Sequence, residues 1–251
     1  SKDFSPFSKL AGDTWINTPV EIDPPEHAKY RAFINPLFTP KAMAKRDEKI
    51  RSYAAEYVES FREKSSCEFM ADFAFEFPIK VFLELMDFPL SNTKQFLEWE
   101  YGLLHEMDMW KIAEATRNVV GFLREQIEDR RKNPRDDIIS YALRVEIDGR
   151  KLTEDGLVGF SFNLFIGGLD TVSTNMGHQF LHLARNPQDQ KLLKENPKLI
   201  PNAIDEMMRA YAAVTTFRTC TKETEFGGVK MMPGDKVMMS TTLAGRDPEE
   251  F

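Results

Sequence analysis

The run FNLFIGGLDTVSTNMG, Phe162 to Gly177, holds one carboxylate, Asp170, in an otherwise uncharged segment. Between Asp155 and Arg185 no second Asp, Glu, Lys or Arg occurs, although these types make up 29% of the chain. A carboxylate in an apolar helix must be paired, hydrogen-bonded or protonated, because an isolated buried charge is costly. Gly167 and Gly168 weaken the helix just before it, and Thr171 offers a hydroxyl to a backbone carbonyl or a ligand. Acid, alcohol and glycines at this spacing suggest a helix opened to admit a small molecule or water. A buried aspartate bridging two helices fits the same residues.

Other candidate groups are weaker one by one. Glu206 and Arg209 stand at i and i+3, the geometry of a same-face ion pair, which alone reads as a solvated surface pair. His27 and Arg31, at i and i+4, share a helix face. His178 and His182 form HxxxH, but Gln179 cannot serve as a general base, so the zinc-protease pattern is absent and core or interface histidines are expected. Cys67 and Cys220 belong to no CxxC pair and read as reduced thiols of a cytoplasmic protein. The 20 Phe and 12 Met residues are core material that would also suit an apolar ligand cavity.

A formal charge of −7 argues against a binder that works by neutralising nucleic-acid phosphates. Lys29, Arg31, Lys41, Lys45 and Arg46 nonetheless form a local positive run that could dock an acidic protein. The opening SKDFSPFSKLAGDTW has no apolar signal-peptide core. The most apolar stretch, Leu157 to Leu183, is broken by Asn163, Asp170, Asn175, His178 and Gln179, so a helix buried in protein is expected there and no membrane span.

These residues must be positioned by helices. Pro6, Gly12, Pro19, Pro24 and Pro25 predict loop over the first 25 residues, and Asp23 before the proline pair predicts a helix start. Apolar spacing predicts an amphipathic helix over 41–64 and a strand-like lead from Cys67, followed by a helix bounded by Pro78 and Pro89. Further helices are predicted over 91–107, 110–132 and 137–144. A turn is expected at Asp148-Gly149 and a helix cap at Thr153. Two helices separated by Pro197 and Pro201 follow the buried one. Alternation with Gly-Gly and Pro-Gly turns then predicts a small β-sheet at the C-terminal end. One domain is expected over all 251 residues.

The order of the motifs is more specific than any one of them. DPPEHAKYR, then GGLDT in a buried helix, then EMMR, FR and GRDPEEF, resembles bacterial cytochrome P450 monooxygenases from Pro6 to Phe251. IGGLDTV is especially similar to the camphor hydroxylase and its terpenoid-oxidising relatives. The resemblance implies a mainly α P450 fold with a small β region, incomplete at both ends. It implies haem b, iron protoporphyrin IX, as cofactor, and hydroxylation of an apolar terpenoid or norisoprenoid with dioxygen. Electrons would come from a [2Fe–2S] ferredoxin and its reductase.

By the same likeness Asp170 and Thr171 are the acid and alcohol of the oxygen-activating helix, and Gly167 and Gly168 leave room for oxygen. His27, Arg31 and Arg218 match haem-propionate contacts. Glu206 and Arg209 match the family's ExxR pair, which implies a buried network. Phe7, Trp15, Asn163, Ile166 and Val214 match substrate-facing positions. The family's haem-ligand loop is missing: neither Cys67 nor Cys220 matches the axial position, so that Cys is expected beyond Phe251. A haem-free carrier of apolar ligands, or a non-catalytic fragment of the fold, is the rival reading.

Overall fold

The computed structural model describes residues 6–64 and 66–251. The chain divides into two compact units, one ending at Asp170 and the other spanning Thr171–Phe251.

The first unit opens with α1 (Pro6–Ala11), where loop is predicted; proline supplies a helix-ready φ at its first position, and Gly12 ends it at φ +76°. The proline pair then starts α2 (Glu26–Ile34), with Pro25 rather than Asp23 as the capping residue, and the Asp23 carbonyl accepts from the His27 amide. The single helix expected over 41–64 is two, α3 (Pro40–Ala44), capped by the Thr39 hydroxyl, and α4 (Asp47–Arg62).

The strand-like lead is instead helical: Met70–Ala74 forms a π turn running into α5 (Glu76–Leu85). Phe69, Phe73 and Phe77 are spaced by four, a helical interval, and stack at 5.5 and 5.1 Å along one helical face. Pro78 lies inside the first turn of α5, where an amide would have no helical partner anyway.

Helices α6 (Thr93–Leu104), α7 (Met109–Lys132) and α8 (Ile138–Arg144) fall where periodicity places them. Strands β1 (Glu146–Ile147) and β2 (Arg150–Lys151) pair antiparallel around Asp148 and Gly149, both at positive φ, the turn a two-residue hairpin requires. Thr153 then caps α9 (Glu154–Gly168) by accepting from the Gly156 amide at 3.1 Å.

The core of this unit is aromatic. Phe82 and Phe96 meet Phe165 of α9 at 5.9 and 5.4 Å, and Phe88 meets Phe122 of α7 edge-on at 5.1 Å. Each buried ring contributes about 1.5–3 kcal/mol by leaving water. Gly159 allows the closest approach: a Cβ there would lie 1.9 Å from the Ile16 carbonyl oxygen, and its own carbonyl accepts from the Thr18 amide. That contact seats the 13–18 segment directly on α9.

The single buried helix expected over 157–183 is interrupted. Leu169 leaves helical geometry at φ −106°, ψ −84°, and α10 (Asp170–Arg185) begins one residue later. The run Glu154–Arg185 has the length and hydropathy of a membrane span, yet half of its most apolar window is buried in protein contacts. After α10 come α11 (Pro187–Glu195) and α12 (Ile200–Ala210), the latter with Pro201 in its first turn. The C-terminal β region is two separate antiparallel ladders, not one sheet. One pairs β3 (Thr215–Thr219) with a later strand at Lys236–Ser240; the other pairs β4 (Thr224–Phe226) with β5 (Val229–Met231). Gly227 and Gly228, both at positive φ, make the β4–β5 turn. The Lys236–Ser240 strand, β6, leads into α13 (Thr241–Ala244).

Candidate functional site

Two residues without Cβ atoms, Gly167 and Gly168, end α9 just before the break at Leu169. A Cβ on Gly167 would meet nothing within 4 Å, and one on Gly168 would rest 3.6 Å from the Phe82 ring. Asp170, expected to be buried, is 26% exposed at its side chain and shares a 2.9 Å hydrogen bond with His105 Nε2. His105 caps the C-terminus of α6, stacks on Tyr101 and is 41% exposed. It went unnoticed in the sequence because 65 residues separate it from Asp170. In the second unit Thr171 begins that unit's part of α10, and its carbonyl accepts from Asn175 Nδ2 at 2.7 Å.

Glu100 is the second residue that sequence reading missed. It is 2% exposed, and neither carboxylate oxygen has a hydrogen-bond partner. Burial, and then the negative charge of Asp170, push its pKa up to about 8. A signal was present: Phe96, Glu100 and Leu103 fall at i, i+4 and i+7, so the glutamate occupies the buried stripe of α6. A second glutamate, Glu98, stands two residues before it in FLEWEYG, so Glu100 did not stand out as a lone charge.

Four of the five substrate-side candidates lie in the first unit. Phe7 and Trp15 pack on Phe162 with ring centroids 5.4 and 4.6 Å away. Trp15 is fully buried and its indole N–H has no partner. Asn163 and Ile166 are half-buried on α9, Ile166 against the core. Val214, in the second unit, is exposed just before β3, and its carbonyl accepts from the Thr241 hydroxyl.

The cationic candidates divide between the units. His27 is half-buried and Arg31 exposed on α2, and among the described residues neither side chain hydrogen-bonds or ion-pairs. Lys29, between them, is tied to Asp148, so it does not belong to a free basic run; among the described residues Lys41, Lys45 and Arg46 have no such acidic partner. Arg218 lies exposed on β3 and donates to the Phe217 carbonyl at 2.8 Å.

Arg209 pairs with Glu206, its Nε donating at 2.7 Å, while Nη1 donates to the Gly245 carbonyl and the guanidinium lies 4.5 Å from the Phe251 ring. This is a network, but not the buried one the resemblance implied, since the Glu206 side chain is 61% exposed.

Of the two histidines expected in a core or an interface, His178 is exposed, and His182 is half-buried between Tyr211 Oη and Asp189. Among the described residues no three His, Cys, Asp or Glu side chains cluster as a metal would require. Cys67 is exposed and Cys220 donates its thiol to the Lys222 carbonyl.

A family model for cytochrome P450 matches residues 79–251. The probable cytochrome P450 127A1 of Sinorhizobium fredii is 36% identical over 98% of this chain and 59% of its own. Cytochrome P450-terp of a Pseudomonas species is 29% identical over 94% of this chain and 59% of its own. The crystal structure of cytochrome P450 CYP101C1 superposes with a TM-score of 0.83 at 34% identity, over 93% of this chain and 59% of that one. The chain thus spans about three-fifths of the length of these relatives.

Proposed function

Because the chain belongs to the cytochrome P450 family, we propose that it is part of a haem-dependent monooxygenase that hydroxylates an apolar small molecule. The observation that carries this reading is the acid–alcohol pair Asp170 and Thr171 set at a helix break beside open space at Gly167. The residues present fit the carboxylate edge of haem b. His27 and Arg31 stand four apart on one helix face without an acidic partner, and their N–H donors would hold a propionate. In the second unit Arg218 carries the same assignment.

Bound haem would supply the activation of dioxygen that puts one oxygen atom into substrate. The chain's own part is to move protons and exclude water. Asp170 would pass protons inward, Thr171 would hold a water or oxygen through its hydroxyl, and the aromatic packing of Phe7, Trp15 and Phe162 would keep bulk solvent away. In the full-length, haem-loaded protein, Thr171→Ala should keep consuming reductant while product per reductant falls severalfold and hydrogen peroxide rises. Unchanged coupling would remove Thr171 from this role.

The substrate is inferred to be terpenoid-like or norisoprenoid-like, with at least one hydrogen-bond acceptor. An aromatic wall suits the apolar body, and the unpartnered Trp15 N–H would donate to its oxygen. Asn163, Ile166 and Val214 are assigned to the same substrate by family likeness. Trp15→Phe keeps the ring but removes the donor, so binding of an oxygenated substrate should weaken about tenfold, within the reach of one hydrogen bond. A hydrocarbon lacking the oxygen should bind both forms alike; equal losses for both ligands would assign the effect to packing.

Electrons are inferred to come from an acidic [2Fe–2S] ferredoxin and its reductase, with Lys41, Lys45 and Arg46 as an attractive patch. Lys41→Glu with Lys45→Glu should raise the ferredoxin concentration for half-maximal rate, and added salt should shrink the difference. A rate indifferent to both would move docking to another face.

A further inference from the structure

Three titratable side chains of the first unit line up by depth: His105 at 41% exposure, Asp170 at 26% and Glu100 at 2%. The outer two share a 2.9 Å hydrogen bond. The innermost sits on the buried face of α6, one turn beyond Phe96, whose ring meets Phe165 at 5.4 Å. Asp170 follows Phe165 by five residues on the same stretch of chain and, through its hydrogen bond to the capping residue His105, is held at the C-terminal end of α6, five residues beyond Glu100. Of the charged side chains on the helices packed against α6, Lys80 pairs with Glu56, Glu84 with Tyr53, Glu76 with Tyr57, Lys111 with Glu106 and Arg124 with Asp13, while Glu114, Arg117 and Glu125 of α7 are exposed. A buried carboxyl with both oxygens unpartnered is costly, and helix packing alone gives no reason to keep one there.

We propose that Glu100 stores a proton for Asp170, with His105 as the solvent-side port of the same three-residue relay. The idea rests on the monooxygenase reading above. When Asp170 delivers a proton inward, the Glu100 carboxylic acid releases its proton through a bridging water to the Asp170 carboxylate, the two carboxyls sharing no direct hydrogen bond, and the negative charge moves to Glu100. Refilling runs from water: one His105 ring nitrogen takes a proton, Nε2 releases one to Asp170, and Asp170 returns one to Glu100. Because a buried carboxylate is the less stable form, the store empties only on demand and refills at once. Two carboxyls holding one proton between them therefore behave as a coupled pair.

The test uses the full-length, haem-loaded protein with carboxyl-labelled glutamate, following Glu100 by comparison with Glu100→Gln. Glu100 should be protonated at pH 7 and titrate near pH 8, and Asp170→Asn should lower that midpoint. A Glu100 that ionises in the ordinary carboxylate range, or a midpoint indifferent to Asp170→Asn, would overturn the pairing. Glu100→Gln should also slow turnover severalfold with a larger solvent isotope effect while substrate affinity holds. Parental turnover with a parental isotope effect would overturn the storage role. Haem incorporation and turnover of the parent judge the monooxygenase reading separately, since the titration needs neither product nor reductant.

Discussion

At pH 8 the Glu100→Gln variant should resist unfolding better than the parent by several kcal/mol, while near pH 4 the two should coincide. The folded-state pKa of Glu100 is raised, from 4.5 to about 8, by burial and then by Asp170. A carboxyl raised in the folded state binds its proton more tightly there than in the unfolded chain. Its contribution to stability is therefore complete below about pH 4.5 and is lost as pH rises to about 8. Over that window the loss amounts to roughly 5 kcal/mol, with roughly 3 kcal/mol already gone by pH 7. Glutamine keeps the shape and is neutral throughout, so it suffers none of this. Denaturant titrations of both forms from pH 4 to pH 9 decide the matter: parallel stability profiles would mean that Glu100 ionises as easily folded as unfolded.

Replacing Arg130 by Met should destabilise the first unit by about 3–5 kcal/mol, the usual consequence of leaving one partner of a buried ion pair behind. Arg130 is 1% exposed and uses its guanidinium fully. Nε donates to Asp137 at 2.7 Å, Nη1 to Gln126 at 2.6 Å, and Nη2 to the Asp87 carbonyl at 2.8 Å. Asp137 is itself buried and caps α8 through the Ser140 amide at 2.6 Å. Asp87 stands at φ +54°, a left-handed conformation that non-glycine residues rarely hold without support. Removing the guanidinium thus strands a buried carboxylate and frees a strained turn together. Arg130→Met with Asp137→Asn should recover part of the loss, because the uncompensated charge goes with the second change. If the single variant unfolds at the parental denaturant concentration, the pair is not the fastener described.

Asp137 and Arg130 also mark how far sequence reading reaches. Asp137 opens a helix and Arg130 sits in the basic last turn of another, so each is placed by local rules. That they meet seven residues apart, away from water, follows from the loop between the helices folding back. Arg131, beside Arg130 and of the same charge, lies on the exposed side and pairs with Glu128 and Glu154. Periodicity assigns a residue to a face of its helix; only packing says whether another element covers that face.

The site shows the same division. Asp170 stood out because its chain neighbours are uncharged, Thr171 and the glycines because they adjoin it, and Trp15 through family likeness. Glu100 and His105, in and just after α6, each have a further glutamate within two residues, Glu98 and Glu106, and gave no comparable contrast.

What the sequence determined by itself was local: the Asp148-Gly149 hairpin, the Thr153 cap, the extent of α6 to α8, and the order of motifs that marks the family. Hairpin turns and caps are settled by backbone freedom and by hydrogen bonds within a few residues, so they survive without a partner. The tertiary structure decided which polar groups lost water. His105 reaches Asp170 across 65 residues, Asp13 reaches Arg124 across 111, and Glu100 reaches no hydrogen-bond partner at all. Desolvation belongs to the packed surroundings rather than to the residue, which is why the helical spacing of Glu100 put it on the stripe of Phe96 and Leu103 but could not show that its proton affinity would be raised.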